Sequence, residues 1–192
     1  MIEIQRRGIE SVRSEKDTLR KAVEQMKHDM VFAELEGAFL TDLNLDNARF
    51  NGANLKGAHF GGSVLSSACM ACADLTKAKF KGACLDNADL SNCNMYGVDL
   101  CGASMLGSNV KGSSYILSIG PIGRNGRMIY AVKHDHAIMV QAGCFWGTLD
   151  NLRYSVIVTH APHNHGQVHA KAYTSAIKFI ETYADAYWKQ PE

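Results

Sequence analysis

Every fifth residue from Leu40 to Tyr115 is a large apolar one: Leu40, Leu45, Phe50, Leu55, Phe60, Leu65, Met70, Leu75, Phe80, Leu85, Leu90, Met95, Leu100, Met105, Val110 and Tyr115. These sixteen positions run without a break. Two residues before each lies a small side chain, alanine or serine, except at Leu43, Cys93 and Val98. Between the two sits a position that is often polar, as at Asn54, Asp74, Asp89, Asn94 and Asp99. A period of five fits neither regular element. On an α-helix, five residues advance the apolar position by roughly 140°, which smears it round every face. On a straight strand, an odd step puts successive apolar residues on opposite faces. The pattern works only if the chain bends between units, so that each unit aims its large residue inward. Gly, Asn, Asp and Ser near the unit junctions suit such bends. A fixed short period of this kind is the mark of a solenoid.

Phrases such as "NGANL", "ACADL" and "DNADL" carry a resemblance to the pentapeptide-repeat family, whose consensus is Ala-(Asp/Asn)-Leu-X-X. The resemblance covers about residues 33–115. It implies a mainly β fold, a right-handed quadrilateral β-helix with four units per coil. Sixteen units then make about four coils, a rod of roughly 20 Å at the strand spacing of ~4.8 Å. Residues twenty apart stack on one wall, giving ladders such as Leu40–Phe60–Phe80–Leu100 and Phe50–Met70–Leu90–Val110.

A solenoid exposes apolar ends and unpaired edges and needs caps. Residues 1–32 supply a candidate. Leu19, Val23, Met26, Met30 and Ala33 have helical spacing, with Asp17 or Thr18 as N-cap. Residues 116–192 lack the period and read as a small α+β domain on the last coil. "YILSIGPIGRNGR" reads as turn-rich. "RMIYAVKH" and "AIMVQAG" read as strands joined by a turn at His134–His136. "TLDNLRYSVIVTH" reads as a helix capped by Thr148, with a doubtful end at its β-branched Val156, Ile157 and Val158. "HAPHNHG" reads as a loop. The last helix is expected to place Ala172, Ala176, Phe179, Ile180 and Tyr183 on one face. "LRKAVEQ" and the phrases "SIGPIG" and "GCFWGTL" resemble the flanking segments of phage-encoded members of the family.

Net charge is +1, so no global field draws the chain to nucleic acid or a membrane. With no apolar run of spanning length and no signal-like N-terminus, the expected place is the cytoplasm, of a host cell if the protein is viral. The six cysteines are then expected as free thiols.

"GCFWG" also resembles the nucleophile motif of A-type peptide methionine sulfoxide reductases, with Cys144 at the attacking position. That family's catalytic domain needs far more chain after the motif than remains here, and its downstream elements have no counterpart. The stretch reads instead as the end of a strand, a turn at Gly147 and a helix start. Cys69 and Cys72 have the spacing of half a zinc site without a second half. The histidine-rich segment His160, His163, His165 and His169 reads as a loop and capping segment rather than a metal site.

The chain is therefore expected to be non-catalytic, with no cofactor and no metal. The leading function is an interaction protein, a phage-encoded accessory that binds a host factor or virion protein through its rod and C-terminal domain. Homodimers are expected more than monomers. A second reading is small-molecule or nucleotide binding by the C-terminal domain, through Arg124, Arg127, Trp146, His160 and His163. A third is DNA mimicry directed at gyrase, which needs a strongly acidic rod. Residues 38–115 hold Asp42, Asp46, Asp74, Asp86, Asp89 and Asp99 against Arg49, Lys56, Lys77, Lys79, Lys81 and Lys111, so their charge cancels, and Lys77, Lys79 and Lys81 make a basic patch.

Overall fold

The computed structural model describes residues 16–122, 127–160 and 164–188. The chain divides into two compact units, Met1–Ser114 and Tyr115–Glu192.

The first unit is a β-helix with a twenty-residue coil. Parallel bridges join Glu34 to Asn54, Asn54 to Asp74 and Asp74 to Asn94, and the same step recurs on the other three walls. Each corner is a β-turn whose second central residue has positive φ. That residue recurs every five positions, from Phe32 to Gly112. The turn closes on itself: Ala53 N–H donates to Phe50 O at 3.0 Å, and Ala58 N–H to Leu55 O at 3.0 Å. Positive φ at that position alone is the type II pattern, which explains the Gly and Asn recurring there. Coils are tied by bonds such as Leu55 N–H to Asp74 O at 2.9 Å and Gly57 N–H to Thr76 O at 2.8 Å.

Where the outward residue of a unit is Asp or Asn, it also has a structural task. The first turn residue's N–H has no coil partner, and the preceding Asp or Asn accepts it. Asp74 Oδ1 accepts from Thr76 N–H at 3.1 Å, Asp89 Oδ1 from Ser91 N–H at 3.0 Å, and Asn94 Oδ1 from Tyr96 N–H at 3.2 Å. These are local side-chain-to-backbone turns of the Asx type.

The interior holds the expected ladder. Leu40, Phe60, Phe80 and Leu100 are fully buried, and Phe60 stacks on Phe80 at 5.0 Å and 4°. The small inward positions are buried too, from Ala33 to Ala103. Two ends depart from expectation. The coil starts one unit early, with Met30 and Leu35 already buried in the ladder. At the other end Tyr115 is 36% exposed, because its own φ of 62° takes the chain out of register before β1.

The N-terminal helix α1 (Lys16–Gln25) is shorter than its apolar spacing suggests, and a 3-10 turn follows at Lys27–Asp29. Met30 and Ala33 belong to the first coil, not to the helix. Asp17 and Thr18 lie within α1, and nothing is described of their side chains. The helix and turn satisfy the first edge. Arg49 N–H donates to Lys27 O at 2.7 Å, and Asn44 N–H to Glu24 Oε1 at 3.1 Å. Further along, the same positions donate to the coil beneath, as Cys69 N–H does to Ala48 O. Arg20 Nη2 donates to Thr41 O at 2.6 Å, and Val23 is fully buried.

The second unit is an antiparallel sheet of β1 (Ile116–Ile122), β2 (Arg127–Lys133), β3 (Ile138–Ala142) and β4 (Phe145–Thr148), in order β1-β2-β3-β4. Two helices follow, α2 (Leu149–His160) and α3 (Asn164–Tyr187). Its core joins Ile129, Ala131 and Val140 of the sheet to Leu152, Val156, Ile177 and Ile180 of the helices. Of the segment read as turn-rich, Ile116–Ile122 form strand β1, whose register shifts between Ile119 and Ile122 around Gly120 and Pro121, while residues 123–126 lie outside the described residues. The β-branched residues do not end α2, since Val156 is held by core packing. Thr148 precedes α2 and accepts from Asn151 N–H at 3.2 Å, as an N-cap should. Asn164, His165 and Gly166 are helical rather than loop. Phe179 is 52% exposed, and Ile177 takes the inward place with Ala176, Ile180 and Ala184.

Candidate interaction surface

The β-helix offers four walls, each read from residues twenty apart. Outward residues alternate with buried ones, so a wall displays one bridge residue and two corner residues per coil. The charges that cancel in the sum are sorted between walls. The wall of Asn44, Val64, Cys84 and Ser104 has Asp42, Asp46 and Asp86 at its corners and no base. Asp86 Oδ1 accepts from Leu106 N–H at 2.9 Å and Ser104 Oγ at 2.5 Å, and Leu106 stands 77% exposed beside them. The wall of Phe39, His59, Lys79 and Asp99 has Lys77 and Lys81 at the corners of one coil. There Phe39 packs on His59 with ring centroids 4.5 Å apart.

On the wall of Glu34, Asn54, Asp74 and Asn94, Lys56 Nζ pairs with Asp74 Oδ2 at 3.3 Å. Burial alone pushes the Asp74 carboxyl up, but the Thr76 hydroxyl and N–H and the Lys56 ammonium outweigh it and leave it below its ordinary value.

All six cysteines are free thiols. Cys69 is on a wall and Cys72 at a positive-φ corner, both structural places in the repeat. Cys93 takes an inward alanine place, where burial pushes its thiol up to about 12 and Sγ donates to Met70 O at 3.0 Å. Such a thiol is a packing residue, not a nucleophile. Cys144 is exposed at a hairpin tip. Ala142 pairs with Phe145, and Gly143 between them has φ 63°. The turn therefore lies at Gly143–Cys144 rather than Gly147, and β4 separates Cys144 from the start of α2.

Of the site residues proposed for the C-terminal unit, only Trp146 has a described side chain. Arg124 and His163 lie outside the described residues, and of Arg127 and His160 only the backbone is described, in β2 and at the end of α2. Trp146 is half-buried on β4 with His134 edge-on at 6.3 Å. A shallow cavity of about 230 Å³ lies nearby in sequence, lined by Lys133, His134, His136, Ile138, Asp185 and Trp188 among others. Lys133 Nζ donates to Trp188 O at its edge. Among the described residues no three His, Cys, Asp or Glu side chains come together as a metal site. No described helix is long and apolar enough to cross a membrane. Sequence reasoning found the basic patch of Lys77, Lys79 and Lys81 but missed the acidic wall of Asp42, Asp46 and Asp86. Its signal was present in the residue numbers taken in steps of twenty.

Residues 44–82 and 83–114 match the family model for pentapeptide repeats, in eight copies. Among solved structures the chain is similar to HetL from the cyanobacterium Nostoc sp. PCC 7120, a pentapeptide repeat protein involved in heterocyst differentiation regulation. The two are 31% identical over 42% of this chain and 37% of HetL, at a TM-score of 0.41. It is similar to alr5209, a pentapeptide repeat protein of the same Nostoc, at 28% identity over 46% of this chain and 74% of that one, at 0.43. It is also similar to QnrB1, a plasmid-mediated fluoroquinolone resistance protein, at 25% identity over 42% of each chain, at 0.41. The chain thus spans little more than a third of HetL's length. No curated protein matches it.

Proposed function

We propose that this pentapeptide-repeat protein is a non-catalytic interaction protein that presents the walls of its β-helix, read as right-handed, to a protein partner. One observation carries the reading. The turn every five residues and the bridge every twenty fix the outward side chains on a rigid frame before any partner arrives. Preorganisation of that kind lowers the entropy lost on binding. The phage-like flanking segments favour a phage-encoded accessory protein that meets a host factor or virion component in the host cytoplasm, as a homodimer. Pull-down of the tagged chain from infected and uninfected lysates, read by mass spectrometry, tests it. One stoichiometric protein is the expected result, and a blank in both lysates removes the reading.

The cavity beside Lys133, His134 and Trp188 favours a second reading, small-molecule or nucleotide binding by the C-terminal unit. A nucleotide panel that leaves the melting temperature unmoved at high ligand concentration discards it. DNA mimicry of the gyrase-directed kind is set against by the lysine row of one wall. A supercoiling assay with no effect on gyrase removes it.

A further inference from the structure

The wall of Phe39, His59, Lys79 and Asp99 differs from the other three in carrying three lysines on a single coil. Lys77, Lys79 and Lys81 are exposed, and Ala78 and Phe80 between them are fully buried, so the three project from one wall. Among the described residues no ion pair or side-chain hydrogen bond engages Lys79 or Lys81. Asp99, one coil on, is the wall's only acid, and its Oδ1 accepts from Cys101 N–H at 2.8 Å.

The relief around the row is low. Gly57 and Gly61 flank His59 on the neighbouring coil, and a Cβ at Gly57 would meet nothing within 4 Å. A Cβ at Gly97 would lie 3.0 Å from Lys77 Cγ, so that glycine leaves the space used by the lysine's stem. Beyond His59, the Phe39 ring adds an exposed apolar ledge.

Lys77 also sits where the fold prefers glycine. Its φ is 58°, in a series of corners filled mostly by Gly, Asn and Asp. A long side chain there carries the backbone strain of the left-handed region.

We propose that this wall docks an extended acidic segment of a partner protein, with carboxylates on alternate residues and an apolar side chain on the Phe39–His59 ledge. The proposal rests on the interaction reading above and gives the partner its chemistry. Alternate residues of an extended chain are spaced by roughly 6–7 Å, and the three lysines follow the same two-residue step. A carboxylate row can therefore meet the lysine row without either side rearranging. Nucleic acid fits less well, because its affinity rests on the number of phosphates neutralised and this wall offers only three lysines.

The test is binding of the full chain to a synthetic peptide alternating glutamate and serine with a terminal phenylalanine. Controls are the lysine-for-glutamate peptide and an oligothymidylate. The expected result is binding of the acidic peptide alone, weakening with salt. The variant carrying Lys77→Glu, Lys79→Glu and Lys81→Glu should bind it about tenfold or more weakly. Backbone amide NMR of the wild-type chain needs no variant: shifts confined to residues 77–81, His59 and Phe39 support the wall. Shifts centred on the Asp42–Asp86 wall or the C-terminal unit overturn it, as does tighter binding of the oligothymidylate or no binding of the acidic peptide. A partner captured from lysate equally by wild type and the triple variant overturns the wall and leaves the proposed function standing. Capture by neither removes the interaction reading itself.

Discussion

The two units of this chain satisfy their backbones by opposite means. In the β-helix each strand is one bridge residue long, and its partner always lies twenty residues away. In the C-terminal unit the strands are four to seven residues long and pair with sequence neighbours, and the core forms when α2 and α3 return over the sheet. The first spends its sequence information on one rule repeated. The second spends it on particular contacts that occur once. Loss of a side chain should therefore act through adjacent coils in the first unit, and through one shared core in the second.

The largest expected effect separates the two. Phe60→Ala removes a ring stacked on Phe80 and edge-on to Phe50, and should cost about 3–5 kcal/mol. Ile180→Ala, from the centre of the C-terminal core, should cost about 2–5 kcal/mol. Both tryptophans, Trp146 and Trp188, belong to the C-terminal unit, so their fluorescence reports on that unit while far-ultraviolet circular dichroism reports on both. In urea, Phe60→Ala should shift the dichroism transition and Ile180→Ala the fluorescence one. Joint movement of both probes in both variants would show one cooperative body instead of two.

The same contrast decides what could be read from the sequence. The interior from Leu40 to Met105 was legible because the period repeats often enough to exclude helix and strand. Its start was not, because Met30 and Ala33 satisfy helical spacing as well as they satisfy the coil, and Phe32 gives no hint of its positive φ. In the C-terminal unit β1 was hidden by Gly120 and Pro121, which punctuate a strand here without ending it. Gly143 and Gly147 are equally good turn residues in the sequence. Only the pairing of Ala142 with Phe145 selects the first. Phe179 and Ile177 differ by about 160° on the helix, and burial chose the smaller residue. On the candidate surface, the patch of Lys77, Lys79 and Lys81 was legible because the three are close in sequence, whereas summing charge over the rod concealed the acidic wall of Asp42, Asp46 and Asp86, since a sum discards the twenty-residue address that places each residue.

A second prediction isolates the corner rule. Gly57 has φ 61°, and a Cβ there would meet nothing within 4 Å, so Gly57→Val tests backbone conformation without a clash. It should destabilise by about 1–2 kcal/mol, from the left-handed conformation alone. Gly147 in the second unit is the inverse case. Its φ is not positive, but an added Cβ would sit 3.0 Å from Phe145 Cζ. Similar losses at the two sites would have different origins, and repacking Phe145→Leu should relieve only the second. If Gly57→Val is neutral in urea, the corners are not what holds the coil.

Ser63 carries a smaller effect. It stands at an inward alanine position, fully buried, and its Oγ accepts from Leu43 N–H at 3.0 Å and donates to Leu40 O at 2.6 Å. The hydroxyl thus bridges a turn that in other units closes directly, as Ala53 N–H does on Phe50 O, and Ser113 bridges the Leu90–Cys93 turn in the same way. Ser63→Ala should let that turn close and cost under about 1 kcal/mol. A loss beyond ~2 kcal/mol would mean that the turn cannot close and that this coil depends on its serine.

The smallest effect bears on why the repeat accepts Asp and Asn alike. Asp74 and Asn94 stack on one wall and both accept the N–H two residues on, at 3.1 and 3.2 Å. What the turn needs is an acceptor, and either side chain supplies it. The charge of Asp74 adds only its pairing with Lys56 at a half-exposed site, worth about 0–1 kcal/mol. Asp74→Asn should therefore be close to neutral at pH 7. Its signature lies in acid. The folded carboxyl is held below the unfolded value of ~3.9, so its contribution is complete above that value and is lost as pH falls through the lower folded one. The difference in urea midpoint between wild type and Asp74→Asn should shrink across that acid window and stay flat above pH 5. A gap that persists unchanged into acid would mean that the carboxylate acts through geometry that asparagine cannot copy, and that the two residues are not equivalent in this fold.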